Sequence, residues 1–333
     1  MNPEILDNPA QAGSPHHHGP DGLVLPVLRA ELTLCCTRGG ELLPWIGPAL
    51  RGLVAGRFKA DMCRHSTTDR DTHWKHCTGC PHLADCPYGL TFESGPAHGS
   101  GSIGQEEGLR PVAIAPAFPA PPRIAAGMPL PVRVTCIGRR AVDAFAPLTA
   151  ALDEAAGAAG IGPDHVRFAV AGTICPPLPT PLRSADLPDF DGADGARLPE
   201  VVVELTSPLF LTRPDASGRR RPVWVPAFAD LLRAALRTVG RAFREHAGPL
   251  PADFAALKAG AEAVRLESHN YEPFRQRRWS NRTEQRYDME GAIGWGAYRD
   301  VPLALVPWLT WGGRLHTGTH RVAGAGGWRV ILA

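Results

Sequence analysis

Arg314-Leu-His-Thr-Gly-Thr-His-Arg-Val-Ala-Gly-Ala-Gly-Gly-Trp-Arg329 is the stretch on which the reading of this chain turns. Gly318, Gly324, Gly326 and Gly327 stand in it among Arg314, His316, His320 and Arg321. Glycine reaches positive φ and lets a bulky partner approach the main chain. Successive N–H groups flanked by arginines suit a phosphate backbone. The segment lacks the Gly-Lys-Ser/Thr close of a nucleotide P-loop, so no nucleotide cofactor is expected. A glycine-rich turn between two C-terminal strands can equally be structural, and both readings stand at this level.

Just upstream, Arg275, Arg277, Arg278, Arg282 and Arg286 form a run interrupted by Trp279 and Tyr287. A strand-like segment Gly291–Tyr298 follows, then a short apolar helix from Pro302 to Leu309, stopped by Gly312-Gly313. Trp328 to Leu332 reads as a final strand. Further back, Val201–Leu211 is a strand, Val223–Glu245 a long helix and Asp253–Leu266 another. On the long helix Phe228, Leu231, Leu232, Ala235, Val239 and Phe243 share one face. Arg233, Arg237, Arg241 and Arg244 share the other, as a solvated face or a phosphate-tracking ridge.

The first half has the same order. Leu23–Thr37 is a strand. A helix follows, with Pro48 in its first turn and Leu50, Leu53, Val54 and Phe58 on one face. Pro111–Pro116 and Leu130–Ile137 are strands, Val142, Phe145, Leu148 and Leu152 mark a helix, and Val166, Phe168 and Val170 alternate as a strand. This β-α-β-β-α-β order is the split, ferredoxin-like pattern. The expected fold class is therefore α+β, with a tail over 1–22 containing His16–His18, one domain over 23–175, a connector over 176–199 and a second domain over 200–333.

Cys63, Cys77, Cys80 and Cys86 interrupt the first half with spacing C-x13-C-x2-C-x5-C. Two close groups of thiols joined by a loop can surround one tetrahedral Zn²⁺, and the expected insertion spans 61–93. His65, His73, His76 and His82 could each replace one thiolate. Disulfides are disfavoured in a reducing compartment, and Cys35, Cys36, Cys136 and Cys175 sit in apolar strand contexts.

A net charge of +2 on 333 residues does not announce a nucleic-acid partner, so the clustering of arginine is the signal. Lysine occurs only at Lys59, Lys75 and Lys258. At 44% hydrophobic and 20% charged the composition is globular. No apolar run is long enough for a membrane helix, and Met1-Asn-Pro-Glu-Ile-Leu-Asp7 has no signal-peptide pattern, so a cytoplasmic protein with no membrane partner is expected.

Several of these segments resemble the CRISPR pre-crRNA-processing endoribonucleases of the RAMP superfamily. Leu315-His316-Thr317-Gly318 with Gly324-Ala325-Gly326 resembles the family's C-terminal signature. Arg278-Trp-Ser-Asn-Arg282 with Gly291-Ala-Ile-Gly294 resembles the segment before it. Leu50-Arg51-Gly52 sits on the first helix as in the family, and Cys86-Pro-Tyr88 with Phe92-Glu93 matches the end of its cysteine insertion.

The resemblance implies two tandem ferredoxin-like (RRM-like) domains with a zinc insertion in the first. It also implies binding of CRISPR repeat RNA, retention of the crRNA product and contact with CRISPR effector subunits. Cleavage would proceed by attack of the 2′-hydroxyl on phosphorus, leaving a 2′,3′-cyclic phosphate, with structural zinc but no catalytic metal. On this reading Arg278, Arg282, Arg286, Arg314, Gly318, Arg321, Gly324 and Gly326 face RNA. Gly56 stands where many relatives carry a histidine. The candidate proton carriers are then His320, His316 and His65, with Lys59 as electrostatic partner; Arg57, His269 and Tyr271 are further possibilities. Two other functions remain open: a crRNA-holding subunit that has lost cleavage, and a zinc-ribbon scaffold unrelated to CRISPR.

Overall fold

The computed structural model of the protein describes residues 22–63, 77, 80, 82, 85–93, 108–174, 180–190, 195–280 and 285–332, with the main chain alone at 278–280. In the first half, β1 (Val27–Arg38), β2 (Val112–Pro116), β3 (Pro129–Ile137) and β4 (Arg167–Ile174) form an antiparallel sheet in the order β2-β3-β1-β4. The first strand lies beside the third and fourth, as the ferredoxin-like pattern requires. Alternation along β1 sends Leu28, Ala30, Leu32, Leu34 and Cys36 to the buried face and Arg29, Glu31, Thr33 and Cys35 to the other. Helix α1 (Gly47–Met62) packs on the buried face through Leu50, Val54 and Phe58, four residues apart. Short α2 (Pro87–Phe92) and α3 (Phe145–Ala158) complete this core.

The second half repeats the plan. β5 (Arg197–Leu205), β8 (Arg265–His269), β11 (Trp295–Pro302) and β12 (Trp328–Leu332) are ordered β8-β11-β5-β12. Helix α4 (Phe228–His246) and α6 (Leu305–Leu315) cover one face, with α5 (Phe254–Glu262) beside them. Two hairpins extend this half: β6 (Thr212–Pro214) with β7 (Arg220–Pro222), and the longer β9 (Glu272–Ser280) with β10 (Gln285–Ile293).

The tandem ferredoxin-like plan agrees with the expectation, while several boundaries differ. The helix expected to run to Leu266 ends at Glu262, and Arg265–His269 is an edge strand. Its residues are nearly all exposed, so it carries no apolar alternation. Gly294, at φ +103°, breaks the expected segment Gly291–Tyr298 into β10 and β11. Pro302 closes β11, and α6 begins at Leu305. The expected connector also contains built structure: Leu182–Arg183 pairs with Val24–Leu25, and β5 starts at Arg197. Leu23, Leu25, Leu182 and Leu187 all pack in the second core, so the chain's first described residues belong to the half that is distant in sequence.

Candidate nucleic-acid interface

Helix α6 ends at Leu315 with His316 as its C-cap, and the glycine loop runs from there to β12. His316, Gly318, His320, Gly324 and Gly326 all have φ between +61° and +79°. The loop is stitched to the segment after β5: Gly326 N–H donates to Pro208 O at 2.9 Å and Thr319 N–H to Phe210 O at 3.2 Å. Thr317 N–H donates to Gly326 O at 2.9 Å across the loop's own neck.

The expected RNA-facing role of Gly324 and Gly326 does not match their surroundings, since both are buried. A Cβ on Gly324 would lie 2.3 Å from Ala115 Cα and 2.5 Å from Ile114 O, both on β2 of the first half. A Cβ on Gly326 would lie 1.8 Å from Thr317 O. These glycines are required by protein backbone. From the opposite side, a Cβ on Gly47, in the first turn of α1, would lie 2.0 Å from Ala323 O. The buried part of the loop is thus the joint between the halves, and Gly318, Thr319 and His320 form its exposed rim.

Arg321 is part of the joint and is turned inward, against the expected phosphate contact. It is 7% exposed. Its Nε donates to His316 O at 3.2 Å, one Nη to Leu315 O at 2.8 Å and the other to Arg110 O. The guanidinium therefore satisfies carbonyls at the C-terminal end of α6, where a cation also suits the helix dipole, and ties them to the first half. Burial and the neighbouring Arg110 charge lower its pKa to about 10, and Glu245 opposes that shift.

His316 is 3% exposed, and its Nδ1–H donates to Ala325 O at 3.1 Å. Burial, then the Arg321 charge, brings its pKa down to about 3, so it is a neutral internal brace. This placement runs against the expected role as a proton carrier at the surface. His320 is exposed, with its ring edge-on to Phe210 at 5.1 Å.

Lys59 lies on α1 with its ammonium 5.1 Å from the Tyr88 ring centroid. Twelve residues separate it from the Gly47 contact, about 18 Å along the helix axis at 1.5 Å per residue. Lys59 is therefore set apart from the loop against which the first turn of α1 rests. Arg57, also on α1, is held by Asp61 and Glu154 at 2.7 Å each. Gly56 is exposed, and a Cβ there would meet nothing within 4 Å. His65 and Arg282 lie outside the described residues, as do His16–His18, His73, His76, Lys75 and Cys175.

The β9–β10 hairpin stands beside the loop. Its base packs Phe274 and Met289 with Trp45, Phe210, Ala323 and Ala325, and Gln276 Nε2 donates to Trp45 O at 2.8 Å. Main-chain pairing sets Arg278 opposite Tyr287 and Arg286 opposite Trp279. Arg286 is exposed, whereas Arg275 and Arg277 pair across the strands with Glu290 and Asp288. Arg314, exposed at the last turn of α6, lies over the Trp311 ring at 5.2 Å.

Arg29 and Arg133 were not anticipated. In linear sequence they are ordinary outward positions of two strands. Pairing of Arg29 with Thr135 and of Glu31 with Arg133 brings them together, and Arg314 adds a third guanidinium nearby. Burial, then Arg133 and Arg314, lowers Arg29 to about 10, and its Nε is buried without a partner.

Cys63 caps the C-terminus of α1, Cys80 N–H donates to Cys77 O at 3.1 Å, and Cys86 precedes α2. Burial pushes the Cys77 thiol up to about 11, with Lys59 opposing and Glu93, Cys63 and Cys86 nearby adding to the rise. The four thiols are free. Four thiols on short spacers are a donor set that suits zinc. Among the described residues, no group of three or more His, Cys, Asp or Glu is assembled as a metal site. No described helix is long and apolar enough to cross a membrane.

A family model described as the AF_1859 N-terminal domain matches residues 25–174. No curated protein matches the chain by sequence. Among solved structures, a product complex of the Cas6 of Thermus thermophilus is 17% identical, with TM-score 0.53 over 92% of this chain and 100% of that one. A partial Cas6-RT-Cas1–Cas2 complex is 10% identical, with TM-score 0.53 over 94% of this chain and 47% of its own. The fold of nearly the whole chain is therefore similar to that of these Cas6-containing structures.

The buried histidine fixes a pH dependence. His316 has a folded pKa of about 3 against an ordinary 6.5, and His246 shifts the same way, to about 4, chiefly through burial. Below 6.5 the unfolded chain takes up protons that the folded chain refuses. Stability should be full above that value and should fall as pH drops toward the folded values. His316→Asn keeps a donor for Ala325 O and tolerates positive φ. Urea titrations at successive pH values should show a shallower acid slope in this variant; an unchanged slope contradicts the assignment.

Proposed function

We propose that this chain, which has the fold of the Cas6 endoribonucleases, binds CRISPR repeat RNA, cleaves it and keeps the crRNA product. The observation that carries the reading is the whole-chain likeness to a Cas6 product complex, together with the sequence segments that resemble the family. The same likeness favours this reading over a zinc-ribbon scaffold unrelated to CRISPR.

In the proposed reaction the 2′-hydroxyl oxygen bonds to the adjacent phosphorus as the bond from phosphorus to the 5′-oxygen breaks. One group takes the 2′-hydroxyl proton, and another delivers a proton to the leaving 5′-oxygen. His320 is the described histidine suited to one of these transfers. It is exposed on the loop rim, and imidazole is the side chain most often used for such proton transfers. His316, buried and neutral, positions the rim. Arg314 and Arg286 supply charge for the phosphates. Lys59 enters as a contact to RNA lying along α1, at a distance from the loop. Binding through Arg278 and Arg282, and catalysis by His65, remain proposals from sequence alone.

Gly56 favours a second reading. Its exposed, open position on α1 supplies no side chain where relatives have histidine. A chain that holds crRNA without cutting it, as a subunit beside other CRISPR proteins, is the consequence if His320 does not compensate.

Zinc is proposed as a structural ion held by Cys63, Cys77, Cys80 and Cys86. It would supply folding free energy to the insertion and turn the raised Cys77 thiol into a thiolate. Elemental analysis of tag-free protein should give about one zinc per chain, and Cys77→Ala should lose both zinc and thermal stability. Folded protein that neither contains nor takes up zinc contradicts this.

The functional test is single-turnover cleavage of repeat RNA in EDTA, with binding measured in parallel. The wild type should leave 2′,3′-cyclic phosphate ends. His320→Ala should cut about a hundred-fold or more slowly with affinity intact. Undiminished cleavage by this variant removes His320 from the mechanism. Tight binding with no cleavage by wild type selects the second reading.

A further inference from the structure

A second cationic hairpin stands beside β9–β10. Strands β6 and β7 pair Thr212 with Pro222, Arg213 with Arg221 and Pro214 with Arg220, and the chain then enters Trp224. The run Arg219-Arg220-Arg221 thus lies on a built turn. Asp215 Oδ1 accepts the N–H groups of Ser217 and Arg219 at 3.0 Å each and the Ser217 hydroxyl at 2.6 Å. Its Oδ2 accepts Arg221 Nε at 3.0 Å. The Ser217 hydroxyl and then Arg221 lower the pKa of the Asp215 carboxyl.

The two hairpins share a root. Leu209 bridges to Ala292 at the end of β10, and Val223 N–H donates to Leu211 O at 2.9 Å. The Arg275 guanidinium of β9 lies 5.2 Å above the Trp224 ring. Arg213 and Arg221 face Asp230 and Asp215, and Arg275 and Arg277 face Glu290 and Asp288. Arg219, Arg220 and Arg286 are exposed and face no carboxylate among the described residues. Arg220 Nε donates to Thr212 Oγ1 at 2.8 Å, which points its head along the hairpin. Trp224 is 36% and Tyr287 42% exposed.

Trp224, with Arg275 over one face of its ring, and Tyr287 both stay partly exposed among arginines, which a surface solvated for its own sake does not require. Guanidinium groups for phosphates, interleaved with aromatic faces for unpaired bases, are what a nucleic-acid strand requires. An acidic protein partner would match the charge but leave the rings without a role.

We propose that the β6–β7 hairpin is a second RNA-binding arm, with Arg219 and Arg220 on phosphates and Trp224 stacked on an unpaired base, gripping RNA together with β9–β10. This rests on the RNA reading of the preceding subsection.

The test is the salt dependence of affinity of the full chain for a fluorescent RNA of the repeat sequence. R219Q/R220Q should lower the slope of log affinity against log salt by about 1.4 to 1.8. R219K/R220K should restore the slope, because the contact is one of charge. W224A should weaken binding about ten-fold or more with the slope unchanged. Urea midpoints taken alongside should match wild type, since the Asp215 turn is untouched. Wild type that fails to bind RNA overturns the RNA reading itself. If wild type binds and R219Q/R220Q keeps the full slope, this arm alone is overturned. A full slope with lost capture of other CRISPR subunits would assign the hairpin to protein instead and likewise overturn it.

Discussion

A buried guanidinium ties this molecule's halves together at the glycine loop. Arg321 donates to Leu315 O, His316 O and Arg110 O, so the end of α6, the glycine loop and the strand-bearing first half meet at one side chain. Taking a guanidinium out of water is costly and is tolerated only when its donors are met. The carbonyls at the end of α6 are orphans that need donors, so both requirements are met together. Around this contact the loop must be thin. Ala115 and Ile114 on one side and Gly47 on the other leave room only for main chain, which is why Gly324 stands where it does.

The joint decides which parts of the signature remain for chemistry. Arg321, His316, Gly324 and Gly326 belong to the interior, whereas Gly318, Thr319, His320 and Arg314 face out. Two non-glycine residues of the loop, His316 and His320, hold positive φ, which costs free energy and persists only where surrounding structure enforces it. For His316 the enforcement is visible in the bond to Ala325 O. For His320 the strain presents an imidazole on the rim, next to Phe210 and near the root of the arginine-bearing hairpin.

The repeated split pattern was legible because it rests on period. Leu28 to Cys36 alternate, and Leu50, Val54 and Phe58 recur every four residues, whatever the rest of the chain does. The edge strand Arg265–His269 was illegible for the same reason, since an exposed strand carries no alternation. Site residues were harder. Arg314 and Arg321 lie seven positions apart in one motif, yet one is exposed and the other spent on carbonyls, and tertiary packing alone separates them. Arg29 and Arg133 gave no linear signal because strand register makes them neighbours. The glycines pointed correctly to close backbone approach; what approaches Gly324 and Gly326 is the protein itself.

Gly324→Val tests that account most directly. The joint reading predicts a clear fall in the urea midpoint and faster exchange of the amides of Ala323 and Ala325, with RNA affinity lost only in proportion to unfolding. A variant as stable and as protected as wild type, yet unable to bind repeat RNA, would show that Gly324 makes room for ligand and would contradict the joint.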